Sequence, residues 1–551
     1  MENALLVITL LGFFLSLVLI GEPLRYHISR FSKLFEDLDL LRASLLDFFL
    51  GGAVLYLLAL IPFPPFTFPI ILGTLILGVG LTVFLHRGSF AGGLSVFKSP
   101  RNIIDWLKSR MNYLSVEYVL VIGMFLTILI IHLGVQQQFI FGEPADYAWH
   151  SLISQKILEE GRLVLTTQPY VLGFGLLTYP QGFHVLSAYA CYLFDWSPPE
   201  AVTNLTVLFH ALPIIGGYFL GKSLEGTKGN HLGLAFAFLF GFVSRWPKLM
   251  AWGSNAFILG FPFFLICLSC LPLILKKDTK WGGVLLLGFL LGYLCVIHPV
   301  YYFALIPCYL IMIFLFRVSA RRSLFFLAVL GVSLVFIAYP IVYAHIYDFI
   351  VPPQVPIELQ REAIRDIQGG IAQLQEAWHQ FNSGDWISAF PMLRNLIKFL
   401  IPASVLYLAI ARKKEHRQVI AISVSLIAAG ALVMGISLAG FLTGLKIIPE
   451  IPLQEVEYII YTSVLLFVGL LFADIFSIMV RVKISASNVL LAVFSLLLLL
   501  SPFIYYGGVV GDRQYLEGQY KLHNPTTEDD YNLMLWIKEN IPEDSLSLIH
   551  I

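Results

Sequence analysis

Asp146 and His150 stand four residues apart in Gly142-Glu143-Pro144-Ala145-Asp146-Tyr147-Ala148-Trp149-His150, which places a carboxylate and an imidazole on one helix face. A carboxylate so placed can take a proton from a hydroxyl or hold a divalent metal. The same position also suits a helix N-cap. A second imidazole, His184, closes Tyr179-Pro180-Gln181-Gly182-Phe183-His184, where the proline and glycine shape a turn. Arg245 and Lys248 put two cations into the stretch 244–255, between apolar runs. Arginine suits bidentate contact with a phosphate, although both side chains could simply snorkel to headgroups. His298 precedes Pro299 at the end of another apolar run, where a histidine serves either as a ligand or as a structural residue. His210, His345 and His379 make weaker cases.

The elements that carry these residues are mostly apolar. Of 551 residues, 58% are hydrophobic and 13% charged, and the mean hydropathy is +0.81, so too little charge is present to cover a soluble surface. The runs 3–21, 119–133, 283–297 and 489–500 lack Lys, Arg, Asp and Glu. With their flanks, many runs reach the roughly 20 residues that cross about 30 Å of hydrocarbon. The first run lacks a basic flank and a small-residue cleavage site, so it reads as a retained span. The five cysteines all sit in apolar runs and read as packing residues, and the Cys267-Cys270 pair in mid-run has no acidic or histidine neighbours.

Basic residues set the orientation. Clusters at 25–42, 87–110, 222–228, 276–280, 317–322, 412–417 and 481–483 can all be cytoplasmic on one condition. The run 179–194 must not cross the membrane, and must lie at or dip into the outer interface. About 14 spans follow, with both termini outside. The outer side then holds loops 136–199, 244–255 and 344–393 and a tail from 507. In 146–161, Trp149, Leu152, Ile153, Ile157 and Leu158 share a helical face, as do Ile357, Ile364, Ile367, Ile371, Leu374 and Trp378 in 356–381. Both read as surface helices. From Asp512 the chain turns polar, and a helix begun near Asn524 and a strand-like 545–551 read as the start of a soluble domain. There is no fixed-period repeat, phosphate-binding loop, dinucleotide fingerprint or HExxH, and Lys plus Arg balance Asp plus Glu at 35 each, giving no indication of nucleic acid as a partner.

The order of these features resembles the GT-C superfamily of membrane glycosyltransferases: a long first outer loop with an Asp opening a helix, a Tyr-Pro-x-Gly-x-His helix, then many spans. The layout of 179–255 is similar to the oligosaccharyltransferase catalytic subunit, and 536–544 resembles the start of the soluble domain that often follows a GT-C module. Gly253-Ser254-Asn255 stands where that enzyme carries an acidic pair, and its WWD-type motif is absent.

The resemblance implies an all-α polytopic fold. Residues 1–117 would hold three extra spans, 118–506 a GT-C-like module of about 11 spans, and 507–551 an extracytoplasmic segment. The implied activity is transfer of a sugar from a polyprenyl-phosphate carrier to a glycan or lipid hydroxyl at the outer face of the plasma membrane. Asp146 would act as general base, or as ligand to a divalent Mg or Mn, with His150 and His184 as further catalytic residues. Arg245, Lys248 and His298 would hold the carrier phosphate, and 356–381 would cover the site. The rival expectations are a flippase for lipid-linked glycans and an inactive partner subunit of the same fold.

Overall fold

The computed structural model describes residues 2–31, 38–87, 116–136, 145–166, 179–224, 231–243, 254–274, 281–315, 416–443 and 453–481, with scattered positions between 318 and 343 and at 536. The cations Arg245 and Lys248, the expected helix at 356–381 and nearly all of the tail lie outside the described residues.

All regular structure among the described residues is helical. The helices are α1 (Glu2–Phe31), α2 (Leu40–Leu60), α3 (Phe68–Leu85), α4 (Val116–Gln136), α5 (Ala145–Glu160), α6 (Gly182–Phe194) and α7 (Pro198–Leu224). They continue with α8 (His231–Phe238, prolonged by a π-helical turn Leu239–Val243), α9 (Asn255–Ile274), α10 (Trp281–Ile297), α11 (Pro299–Leu315), α12 (His416–Thr443) and α13 (Leu453–Arg481). Five described helices are long and apolar enough to cross a membrane: α1, α2, α3, α4 and α7. The chain is therefore an all-helical protein of the kind that embeds in a bilayer.

Small residues bring these apolar helices together. A Cβ at Gly21 would fall on the Asp47 carbonyl, and one at Gly51 on the Leu17 carbonyl, so α1 and α2 touch through their backbones. The α2 helix then runs through the interior. Phe49 stacks on Phe263 of α9 at 4.4 Å, Phe48 meets Phe209 of α7 edge-on at 6.5 Å, and the Tyr293 hydroxyl of α10 lies over Gly52. Along α7, Gly217 and Gly221 admit the backbone of α8. By contrast, α3 buries only Ile71, Gly78 and Thr82, and presents Phe68, Ile76, Leu77 and Phe84 outward.

Two short helices fill a notch in this bundle. The sequence pattern expects α5 to bury Trp149, Leu152, Ile153, Ile157 and Leu158. The buried positions are instead Tyr147, His150, Ile153, Ser154, Lys156 and Ile157, because α5 docks on α6 and α7. Its far end is tied down by the α2–α3 connection. Gly161, at φ 62°, ends the helix in the left-handed conformation, and its carbonyl accepts from Phe66 N–H at 2.9 Å. Leu163 N–H donates to the Ala59 carbonyl at 2.8 Å. The α6 helix, 13 residues long, is buried from Gly182 to Cys191. It climbs beside α5 until the Tyr192 hydroxyl reaches the Phe66 carbonyl at 3.3 Å.

A polar layer where helices begin

The first turns of α6, α9, α11 and α13 and the second turn of α5 are linked by a chain of contacts inside the bundle. It starts at Gly182, where a Cβ would collide with the Val296 carbonyl, so α6 begins directly against the last turn of α10. His298 follows that turn and opens α11. Its ring meets Phe257, in the first turn of α9, edge-on at 5.2 Å, and its Nε2 lies 3.4 Å from Oε1 of Glu455, in the first turn of α13. On the other side Phe183 packs against His150 at 5.0 Å and against Phe209 at 5.8 Å. At about 1.5 Å per residue, Phe209 lies about 16 Å down α7 from its start, so the layer sits well inside the fold.

His150 and His184 meet there, with Nδ1 of the first 2.8 Å from Nε2 of the second. They are 1% and 0% exposed. One ring must donate and the other accept, so both cannot be imidazolium at once in this geometry. Tyr179 and Phe183 close around the pair, and His184 Nδ1 faces the Pro180 carbonyl without a well-aligned hydrogen bond. Gln181 anchors the turn before them. Its side-chain amide accepts from Val164 N–H at 2.9 Å and donates to the Val164 carbonyl at 2.6 Å, clamping the chain after α5 to the start of α6.

Next to Phe209, His210 lies against His132 of α4, ring centroids 4.4 Å apart, both 0% exposed. His210 Nδ1 donates to the Thr206 carbonyl at 2.6 Å, which leaves Nε2 as the acceptor nitrogen of the neutral ring.

At the α11–α13 side, two polar atoms are buried with no hydrogen-bond partner among the described residues: Nδ1 of His298 and Oε2 of Glu455. So are both amide atoms of Asn255, the 0% exposed residue that opens α9. Each such group costs about 1–3 kcal/mol.

Of the residues singled out by sequence, His150 and His184 are brought into direct contact. Asp146 is the second residue of α5, one turn before His150, and its side chain lies outside the described residues. His298 is not in contact with the imidazole pair, but its neighbour Ile297 touches Gly182. Sequence reasoning missed Glu455, Asn255 and Gln181. Glu450, Glu455 and Glu457 form a short acidic run between apolar stretches, and that run was the available signal for Glu455. Mg or Mn on Asp146 would need oxygen donors. The Asp146 side chain lies outside the described residues.

No protein-family model matches the chain, and no curated protein matches it significantly.

Proposed function

We propose that the chain is a membrane glycosyltransferase of the GT-C type. It would move a sugar from a polyprenyl-phosphate carrier to a hydroxyl of a glycan or lipid, at the extracytoplasmic face of the plasma membrane, with both termini on that side. The observation that carries this reading is the polar layer, where helix starts gather around buried imidazoles in an otherwise apolar bundle. Backbone N–H groups at helix starts favour an anion such as the carrier's phosphate. A polar layer inside an apolar bundle suits a substrate whose reacting end is polar and whose tail is lipid.

In this reading Asp146 takes the acceptor's proton as its oxygen attacks the anomeric carbon, and the bond to the phosphate oxygen breaks. His150 and His184 fix the first turns of α5 and α6, and so the position of Asp146. Arg245 and Lys248 hold the departing phosphate.

The test uses the full chain in nanodiscs with polyprenyl-phosphate-linked hexoses and membrane glycolipids as acceptors, products being read by mass spectrometry. Asp146→Asn, checked for folding, should lower transfer at least about 100-fold. Transfer at the parent's rate removes Asp146 from the chemistry. A parent that moves lipid-linked glycans across the bilayer without transferring sugar is a flippase instead.

A further inference from the structure

We infer that His298 and Glu455 form a hydroxyl-binding site, which takes a sugar hydroxyl rather than the carrier phosphate. The starting point is polarity. Glu455 Oε1 lies 3.4 Å from His298 Nε2, and this contact joins the start of α11 to the start of α13. Among the described residues Oε2 of the same carboxylate is buried without a partner, as is Nδ1 at the other edge of the ring. Neither residue is exposed enough for water to meet the deficit, with side chains 11% and 12% exposed.

What these two atoms ask for can be read from their donor and acceptor types. An ionised carboxylate only accepts. If Nε2 carries its proton toward Glu455, neutral His298 presents a lone pair at Nδ1, so both open atoms are acceptors. If the ring is protonated, Nδ1 donates and Oε2 still accepts. In either state the site offers an acceptor that a hydroxyl group can meet with its O–H. A phosphate, which at neutral pH brings almost only acceptor oxygens and negative charge, meets the carboxylate with repulsion. An ammonium group is disfavoured where the ring is protonated, because the imidazolium is then the carboxylate's counter-charge; where the ring is neutral, the methylammonium arm of the experiment below separates it from a hydroxyl. A lone divalent cation would satisfy acceptors but leave the amide N–H groups of Asn255, unmet in the same layer, without a partner. Hydroxyls both donate and accept, so a polyol can meet Oε2 of Glu455 together with Nδ1 of His298 in either state of the ring.

This takes His298 out of the phosphate-binding set, leaving that role to Arg245 and Lys248. In the unliganded chain Nδ1 and Oε2 are covered, so a ligand reaches them through a local opening of the layer. As a hydroxyl site the pair stands on its own geometry; as the acceptor's subsite it rests on the transferase reading above.

The experiment reads both separately. The full chain in nanodiscs is labelled with 15N-histidine, and the His298 signals are identified by their loss in His298→Gln. Methyl glucoside and methyl mannoside should shift those signals saturably in the millimolar range. Glu455→Gln should weaken that response about tenfold, the loss of one hydrogen bond to a charged acceptor. Glu455→Asp, which keeps the carboxylate, should retain part of it and guards against a folding defect. A response to inorganic phosphate, methylammonium or manganese with none to the glycosides overturns the proposal, and so does silence toward every probe. A glycoside response in a chain that transfers no sugar leaves the hydroxyl site standing and removes the transferase reading.

Discussion

Two polar regions of this bundle are built on opposite plans. Around the ends of α1, α2 and α3, the buried described charges are closed on partners. Arg25 Nε donates to Asp47 at 2.7 Å, and Glu22 accepts from Thr82 at 3.2 Å and lies 2.7 Å from His86 Nε2. Lys222 and Glu117 likewise join α7 to α4 at 3.2 Å. In the layer where α5, α6, α9, α11 and α13 begin, the groups are mostly neutral or singly paired, and Asn255, His298 and Glu455 keep buried atoms unmet. Closed ion pairs hold helices in register. Unmet buried polar atoms cost stability, and in the proposed reading those of the second region are the ones a ligand's hydroxyls would meet.

Breaking a closed pair should produce the largest change in stability. Asp47→Ala leaves the Arg25 guanidinium, 19% exposed, with only Glu22 at 3.7 Å. Removing one member of a buried pair costs about 3–5 kcal/mol, and the remaining partner argues for the lower end. Thermal unfolding in nanodiscs should record a loss near 3 kcal/mol, while binding of methyl glucoside by folded protein stays unchanged. A loss under about 1 kcal/mol would mean that the arginine reaches headgroups freely, and the contrast between the two regions would weaken.

The imidazole pair should show the converse pattern. His184→Phe keeps the ring but leaves His150 Nδ1 facing an edge that cannot hydrogen-bond, costing about 1–3 kcal/mol. Replacing both rings, His150→Phe with His184→Phe, removes donor and acceptor together and should recover much of that stability. Sugar transfer should be lost in both variants. Full stability in the single variant would show that the 2.8 Å contact does not bear on the fold.

How much of this was legible in the sequence depends on the distance over which a feature is encoded. The long apolar helices, the four-residue spacing of Asp146 and His150, and the turn before His184 are local, and the periodicity and turn residues disclosed them. The buried face of α5 was misplaced. Apolar count favours Trp149 and Leu158, but docking against α6 and α7 turns His150 and Ser154 inward. Burying polar groups is a decision of tertiary contact that hydropathy cannot express. Glu455 meets His298 across a long stretch of chain, and no local pattern announces that pairing. The clamp of Gln181 on Val164 is similarly silent, because a glutamine beside a turn looks like surface.

The smallest effect is expected at Glu117 and Lys222, whose 3.2 Å contact is longer than the 2.7 Å between Arg25 and Asp47. Glu117 is 7% exposed and Lys222 17%, and the lysine ammonium lies over the Tyr218 ring at 5.9 Å. Glu117→Gln keeps the shape and leaves the ammonium free to extend along its stem toward headgroups. The loss should therefore stay near 1 kcal/mol, the upper range for partly solvated pairs. It should also fall with added salt, since exposed pairs are screened and interior ones much less so. A loss as large as that of Asp47→Ala, insensitive to salt, would place Lys222 in a dry interior. Pairing would then be strict at the α4–α7 contact as well as at the α1–α2 contact, and the unmet atoms near His298 would stand out more sharply.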